Sequence, residues 1–319
     1  MNPSAPRRIQ RVTKILRLIG FSVLAFVLVI EVFGAVQGYQ EVDNILYPER
    51  QVFCCDTPAD AGLAYEELAL QTADGLTLAG WYLPADDSTE SFTPPIVTNG
   101  DCALILSHGA SGNRVSMWDV GLALREQGCG ILFLELRAHG SSEGDVFTQG
   151  WLDIQAAADW LAARGVQHIG AYGFSLGAVM SIQAVALSTT IDAVVADGAG
   201  PTVITDMLLP TTLSGWLYGL YDLVYWTQLE ARSAAHGGFA AMPMTEAVAR
   251  MSPRPLLLIA AGAEPSQFEV NVNQALYANA DPINTTLWII DGVGHGGGWL
   301  AHREAYLQRL IDFFALAFS

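Results

Sequence analysis

The pattern of apolar and polar positions divides the chain into three parts. The first is LIGFSVLAFVLVIEVFGAV, Leu18 to Val36, nineteen residues interrupted by one charge, Glu31. At about 1.5 Å of rise per residue, a helix of this length just spans the hydrocarbon core of a bilayer. The second part, Gly38 to Asp60, has no clear period and reads as a tether packed against the domain beyond it. The third opens with YEELALQT (Tyr65 to Thr72) and LTLAGWYLP (Leu76 to Pro84), which alternate around Ala73-Asp74-Gly75 and predict a β-hairpin. Six short continuous apolar runs come next: CALILSH (Cys102 to His108), GILFLEL (Gly130 to Leu136), HIGAYGF (His168 to Phe174), IDAVVADG (Ile191 to Gly198), PLLLIAAG (Pro255 to Gly262) and TTLWIIDG (Thr285 to Gly292). Strands covered by helices on both faces read this way, and the helical stretches between them suit right-handed crossovers. The expected architecture is α/β, with eight strands in a mostly parallel, doubly wound sheet.

Two stretches depart from that rhythm. Asp86 to Asp101 is a Pro- and Ser-rich loop. Pro201 to Arg254 separates two strands by more than fifty residues and carries Trp216, Tyr218, Tyr221, Tyr225 and Trp226 among leucines. This predicts a helical cap insertion over the strand ends, with an enlarged crossover helix as the alternative. Asp206 and Asp222 argue against a second membrane span there. The domains expected are a basic N-terminus and transmembrane signal anchor over 1–37, a tether over 38–62, and one α/β domain over 63–319 with its insertion at about 201–254.

Composition and charge narrow the partners. With 51% apolar residues the chain has the means to bury a large core. Of its fifteen basic residues, Arg7, Arg8, Arg11, Lys14 and Arg17 precede the apolar run, which leaves ten basic against thirty-two acidic residues from Glu31 onward. A body of charge -22 repels phosphate backbones, so nucleic acid is excluded as a partner. Basic residues before the span hold the N-terminus cytoplasmic and put the body outside, in contact with the membrane through the N-terminal helix. A cleaved signal and a secreted body are the alternative, although Phe33-Gly34-Ala35 suits a cleavage site poorly. The four cysteines have no metal-type spacing, and read either as disulfide partners or as small buried hydrophobes.

The candidate chemistry sits in Gly173-Phe174-Ser175-Leu176-Gly177, between a predicted strand and a predicted helix. A serine in so sharp a turn needs glycines two residues to either side, and the helix N-terminus beyond it favours developing negative charge. Leu176 N–H, next after the serine, is one candidate oxyanion donor. Ala110 N–H, in the turn Ser107-His108-Gly109-Ala110-Ser111-Gly112-Asn113-Arg114, is the other, with His108 bracing that loop rather than moving protons.

Taken together, HGASGNR, LELRAHGSSEGD (Leu134 to Asp145), GFSLG and DGVGH (Asp291 to His295) resemble the α/β-hydrolase superfamily, especially its serine esterases and acyl-peptidase-like members, over about Tyr65 to Ser319. The second motif resembles the family's D-x-R-G-x-G-x-S turn, with Glu135 in the aspartate place and Ala138 replacing a glycine. The resemblance implies a triad in the order serine, acid, histidine. His295 is the implied histidine, on a turn whose HGGG imitates a lipase oxyanion loop that belongs earlier in the fold; His302 and His236 are its rivals. For the acid, the family's usual position falls on Pro265, so Glu264 is preferred, with Glu269 second if the loop folds back or the next helix starts late, and Asp197 third. The resemblance also makes the third and fourth strands neighbours, which would allow a Cys102–Cys129 disulfide.

The function this implies is serine hydrolysis of small-molecule carboxyl esters, with apolar acyl groups favoured by the aromatic insertion and no metal or organic cofactor required. The same residues would serve an acyltransferase, a thioesterase or a serine peptidase. A non-catalytic binding protein would need a broken triad.

Overall fold

Each of the six short apolar runs, and both halves of the expected hairpin, becomes a strand. The computed structural model describes residues 5–53, 56–85, 96, 101–208, 213–263 and 267–319. Its strands are β1 (Glu66–Gln71), β2 (Thr77–Leu83), β3 (Cys102–Ser107), β4 (Gly130–Leu134), β5 (His168–Phe174), β6 (Ala193–Asp197), β7 (Leu256–Ala261) and β8 (Thr285–Ile290). They form one sheet in the order β1-β2-β4-β3-β5-β6-β7-β8. Only β2 runs antiparallel to its neighbours, and the other pairings are parallel. Burial explains the sequence pattern. All residues of β3, β4, β6 and β7 are buried, whereas the edge strand β1 alternates because only one of its faces meets the core.

The helices are α1 (Ala5–Leu46), α2 (Trp118–Arg125), α3 (Trp151–Ala163), α4 (Leu176–Leu187), α5 (Leu213–Ser233), α6 (Met244–Arg250), α7 (Phe268–Asn279), α8 (Gly298–Ala301) and α9 (Arg303–Ala317). Successive strand residues point to opposite faces and make two cores. Ala103, Ile105, Ile169, Ala171, Val194 and Ala196 share one with α3, α4, α6 and α7. Leu104, Leu106, Tyr172, Val195, Leu257 and Ile259 share the other with α2 and α9.

Parallel register also decides the cysteines. Ala103 lies opposite Gly130, so Cys102 meets Cys129 one step earlier, and the two form a disulfide with Cα atoms 4.9 Å apart. Cys54 and Cys55 lie outside the described residues.

Two segments differ from expectation. α1 does not stop at residue 37, because what reads as a tether begins with its last turns. Val42 and Leu46 are fully buried and Ile45 packs beside them, an i, i+3, i+4 stripe too short to stand out among polar neighbours. Earlier on α1, the described side chains between Val12 and Val36 are mostly exposed, and the helix is long and apolar enough to cross a membrane. Between β6 and β7, the insertion holds α5, α6 and two 3-10 turns, Ile204–Asp206 and Ala234–His236. Asp206, an apparent blemish in an apolar stretch, is buried. Its Oδ2 accepts Thr202 and Val203 N–H at 2.9 and 3.1 Å, and its Oδ1 accepts Thr245 N–H at 3.0 Å, stapling the start of the insertion to α6.

Candidate active site

Ser175 occupies the turn from β5 into α4 with φ 53° and ψ -112°, a conformation L-residues rarely adopt. The flanking glycines make that turn sterically feasible. A Cβ on Gly173 would lie 2.3 Å from the Gly177 carbonyl carbon, and one on Gly177 would lie 2.3 Å from the Ser107 carbonyl oxygen. Two backbone bonds then pin the turn to the sheet, Ser175 N–H donating to Asp197 O at 2.7 Å and Gly177 N–H to His108 O at 3.1 Å.

The loop after β3 approaches this elbow so closely that a Cβ on Gly109 would sit 3.2 Å from Ser175 Cβ. Ala110 and Leu176 line the same cavity as Ser175. His108 braces the loop. Its Nε2 accepts Leu136 N–H at 3.2 Å, so its Nδ1 carries the proton and donates to Gly109 O at 2.7 Å. Burial, reinforced by His139, pushes its pKa down to about 3, which keeps the ring neutral. Glu135 ties the two motifs together: it pairs with Arg114 Nε at 3.1 Å and accepts Ser141 N–H at 2.8 Å. Gly140 beside it is obligatory, since a Cβ there would lie 2.5 Å from the Glu135 carboxyl carbon.

His295 follows β8 and packs against Phe174, ring centroids 4.9 Å apart. The glycine after it belongs to this packing, because a Cβ on Gly296 would lie 2.7 Å from the Phe174 ring. The carboxylate that meets His295 is Glu269, with Oε2 2.6 Å from Nδ1. Its other oxygen accepts Ala261 N–H at 2.7 Å, fixing the side chain to the end of β7. Gln267, left-handed at φ 53°, turns the chain so that α7 starts at Phe268 and presents Glu269 from its first turn. Glu264, preferred from the sequence, lies outside the described residues. Asp197 is turned elsewhere, its Oδ2 accepting the Tyr306 hydroxyl at 2.7 Å, and Tyr306 in turn meets the Tyr172 hydroxyl at 2.9 Å. His302 and His236 are exposed, at the start of α9 and in the turn after α5.

Sequence reading missed Gly198 and Tyr306. Gly198 has φ +68°, and a Cβ on it would lie 2.6 Å from His295 Cε1 and 3.4 Å from Glu269 Oε1. Only its place after an apolar strand hinted at this. Gly198→Ala is expected to displace the imidazole and lower kcat for an acyl ester by about 10²-fold, the typical cost of a misplacement near 1 Å. Ester kinetics alongside thermal melting check it, and a variant of unchanged kcat would show that the ring tolerates the methyl.

Asp197 supplies a pH signature. Burial raises its pKa to about 6, the Glu269 charge adds to the rise, and the Tyr306 hydrogen bond opposes it. Because the folded value exceeds the unfolded one, this group's contribution is fully present below the unfolded value and is lost as pH rises through about 6. At pH 8 its ionisation costs on the order of 3 kcal/mol. Asp197→Asn is therefore expected to melt higher than the native protein at pH 8, with most of that advantage gone at pH 4. An equal difference at both pH values would assign the effect to packing.

The cavity has a volume of about 310 Å³ and is lined in part by Ser175, Glu269 and His295. Its walls are Ile45, Val179, Tyr225, Trp226, Phe239 and Phe268, an apolar lining suited to a hydrocarbon chain.

A model described as the alpha/beta hydrolase family matches residues 104–309. Among curated proteins, the chain is 33% identical over 125 residues to the alpha/beta hydrolase domain-containing protein WAV2 of Arabidopsis thaliana, covering 38% of each chain. It is 30% identical over 88 residues to a carboxylesterase of Bacillus subtilis, covering 26% of this chain and 36% of that one. The chain thus matches less than half the length of these relatives. Among solved structures, the esterase Pf2001 of Pyrococcus furiosus superposes with a TM-score of 0.62 at 24% identity, over 84% of this chain and 98% of that chain, which shows a shared fold.

Proposed function

The chain belongs to the alpha/beta hydrolase family, and from that premise we propose that it is a serine hydrolase cleaving carboxyl esters with apolar acyl groups. The observation that carries this is the Glu269–His295 pair, 2.6 Å apart, sharing a cavity with Ser175 on its strained elbow.

Glu269 holds the proton on His295 Nδ1, so the Nε2 lone pair acts as the base. His295 takes the Ser175 hydroxyl proton as Oγ bonds to the acyl carbon, and Ala110 and Leu176 N–H groups hold the oxyanion. The ester C–O bond then breaks, and the leaving alcohol takes the proton from His295. Water attacks the acyl-enzyme in the same way and releases the carboxylic acid and free Ser175.

The N-terminal helix serves as a single-pass membrane anchor, with its basic end cytoplasmic and the catalytic body outside. Five basic residues before the span support that orientation, as does the Cys102–Cys129 disulfide, a bond that persists outside the cytoplasm. The catalytic domain covers 63–319, with the insertion at 201–254 as its cap.

The test is to treat the full-length protein with a fluorophosphonate, locate the adduct by peptide mass spectrometry, and assay a graded series of acyl esters and peptide amides. An adduct on Ser175 with ester turnover supports the reading. No adduct, or one on another residue, overturns it.

A further inference from the structure

The cavity wall includes a residue of the apolar N-terminal helix. Ile45 on α1 faces the space above Ser175, and the same unbroken helix exposes its apolar side chains up to Val36. Nine residues separate Val36 from Ile45, so the wall stands about 14 Å beyond the end of the apolar run. α5 accompanies it. Tyr221 packs on Gly34 and Tyr225 on Gly38, while Arg232 donates to Tyr39 O at 3.0 Å and pairs with Asp43 at 2.5 Å. Residue numbers rise together along both helices, which makes the pair parallel. Gly34 and Gly38 form a G-x-x-x-G step on α1 that lets α5 approach closely, a Cβ on Gly38 lying 3.6 Å from Tyr225 Cα.

This register has a consequence for the insertion. The backbone of α5 from 213 to 220 extends about 12 Å ahead of the Tyr221–Gly34 contact, on the side from which the apolar stretch of α1 arrives. Leu223, on the level of Val36, is 47% exposed, and Leu208, ahead of α5, is 45% exposed. Tyr225 and Trp226 of α5 also line the cavity. Two of its walls therefore come from α5 and from the helix that is long and apolar enough to cross a membrane.

Resting on the ester-hydrolase and anchor readings, we propose that the substrate is a long-chain acyl ester resident in the bilayer, whose hydrocarbon chain passes between the α1/α5 pair and the domain to reach Ser175. Such a path spares the hydrocarbon chain the exposure to water that transfer through solution would impose. Charge bears on the headgroup. From Glu31 onward the chain carries ten basic against thirty-two acidic residues, so an uncharged glycerol ester is favoured over an anionic lipid.

The experiment uses the full-length protein in phosphatidylcholine vesicles and compares 1-oleoylglycerol in the bilayer with p-nitrophenyl butyrate in solution. Leu223→Glu places a charge at the bilayer surface outside the cavity. It is expected to keep butyrate turnover within about twofold and to lose at least about tenfold on 1-oleoylglycerol. Ile45→Trp, filling the cavity, is expected to lower oleoyl turnover more than butyryl turnover. Butyrate turnover also reports that each variant is folded. Native protein that cleaves butyrate but not 1-oleoylglycerol overturns the bilayer route alone, as does Leu223→Glu affecting both substrates equally. Native protein that cleaves neither overturns the ester-hydrolase reading as well.

Discussion

Glu269→Gln is expected to lower kcat for an acyl ester by about 10³- to 10⁴-fold, with little change in KM. The glutamine fills the same volume and can still accept Ala261 N–H through its amide oxygen, so the fold survives. What changes is the atom facing His295. An amide NH2 donates to Nδ1, forces the imidazole proton onto Nε2, and leaves no lone pair to take the Ser175 proton. Lost charge compounds this, since the imidazolium formed during attack no longer has a carboxylate 2.6 Å away. Glu264→Gln is the companion measurement and is expected to stay within about twofold of native activity, because Glu269 already meets His295 Nδ1. The reverse result, with Glu264 essential and Glu269 dispensable, would return the acid to the position the sequence favoured.

Ser175→Ala is expected to lose about 10⁶-fold in kcat and all fluorophosphonate labelling. Its stability should barely move, because alanine also carries a Cβ and inherits the same φ of 53°. Ser175→Gly separates the two roles of this position. It removes the nucleophile and the steric cost together, so it is expected to be inactive yet more stable, by about 1–2 kcal/mol, than the alanine variant. Kinetics and thermal melting on the pair read this out. Equal melting temperatures would mean that the elbow stores no strain.

The strands were legible to within about two residues because complete burial on both faces leaves uninterrupted apolar runs, as in Leu256–Ala261. The elbow was legible because its glycines answer to hard contacts that admit no other side chain. The acid was less so. Counting along a loop assumes where the next helix begins, and here a left-handed Gln267 starts α7 at Phe268, which brings Glu269 to His295. A spacing of apolar residues at 268, 272, 275 and 276 carried that start in the sequence. The end of α1 was hidden for a different reason, since two buried residues and one half-buried among polar ones make too brief a helical stripe. Gly198 was legible only as a glycine after an apolar strand, because its constraint comes from two side chains far along the chain.

The continuity of α1 bears on where the catalytic unit can be divided. Its last turns give Val42 and Leu46 to the core and Ile45 to the cavity, and Gly34 and Gly38 seat α5. A soluble version cut after the helix would lose a wall and the bed of its cap in one step. On the anchor proposed above, the boundary of the catalytic unit falls inside the helix, before Gly34, rather than at residue 63, so that one element would be both a membrane segment and a part of the folded domain. Such an anchor would not be interchangeable with a simple leader, because any replacement must also reproduce the surface on which α5 rests.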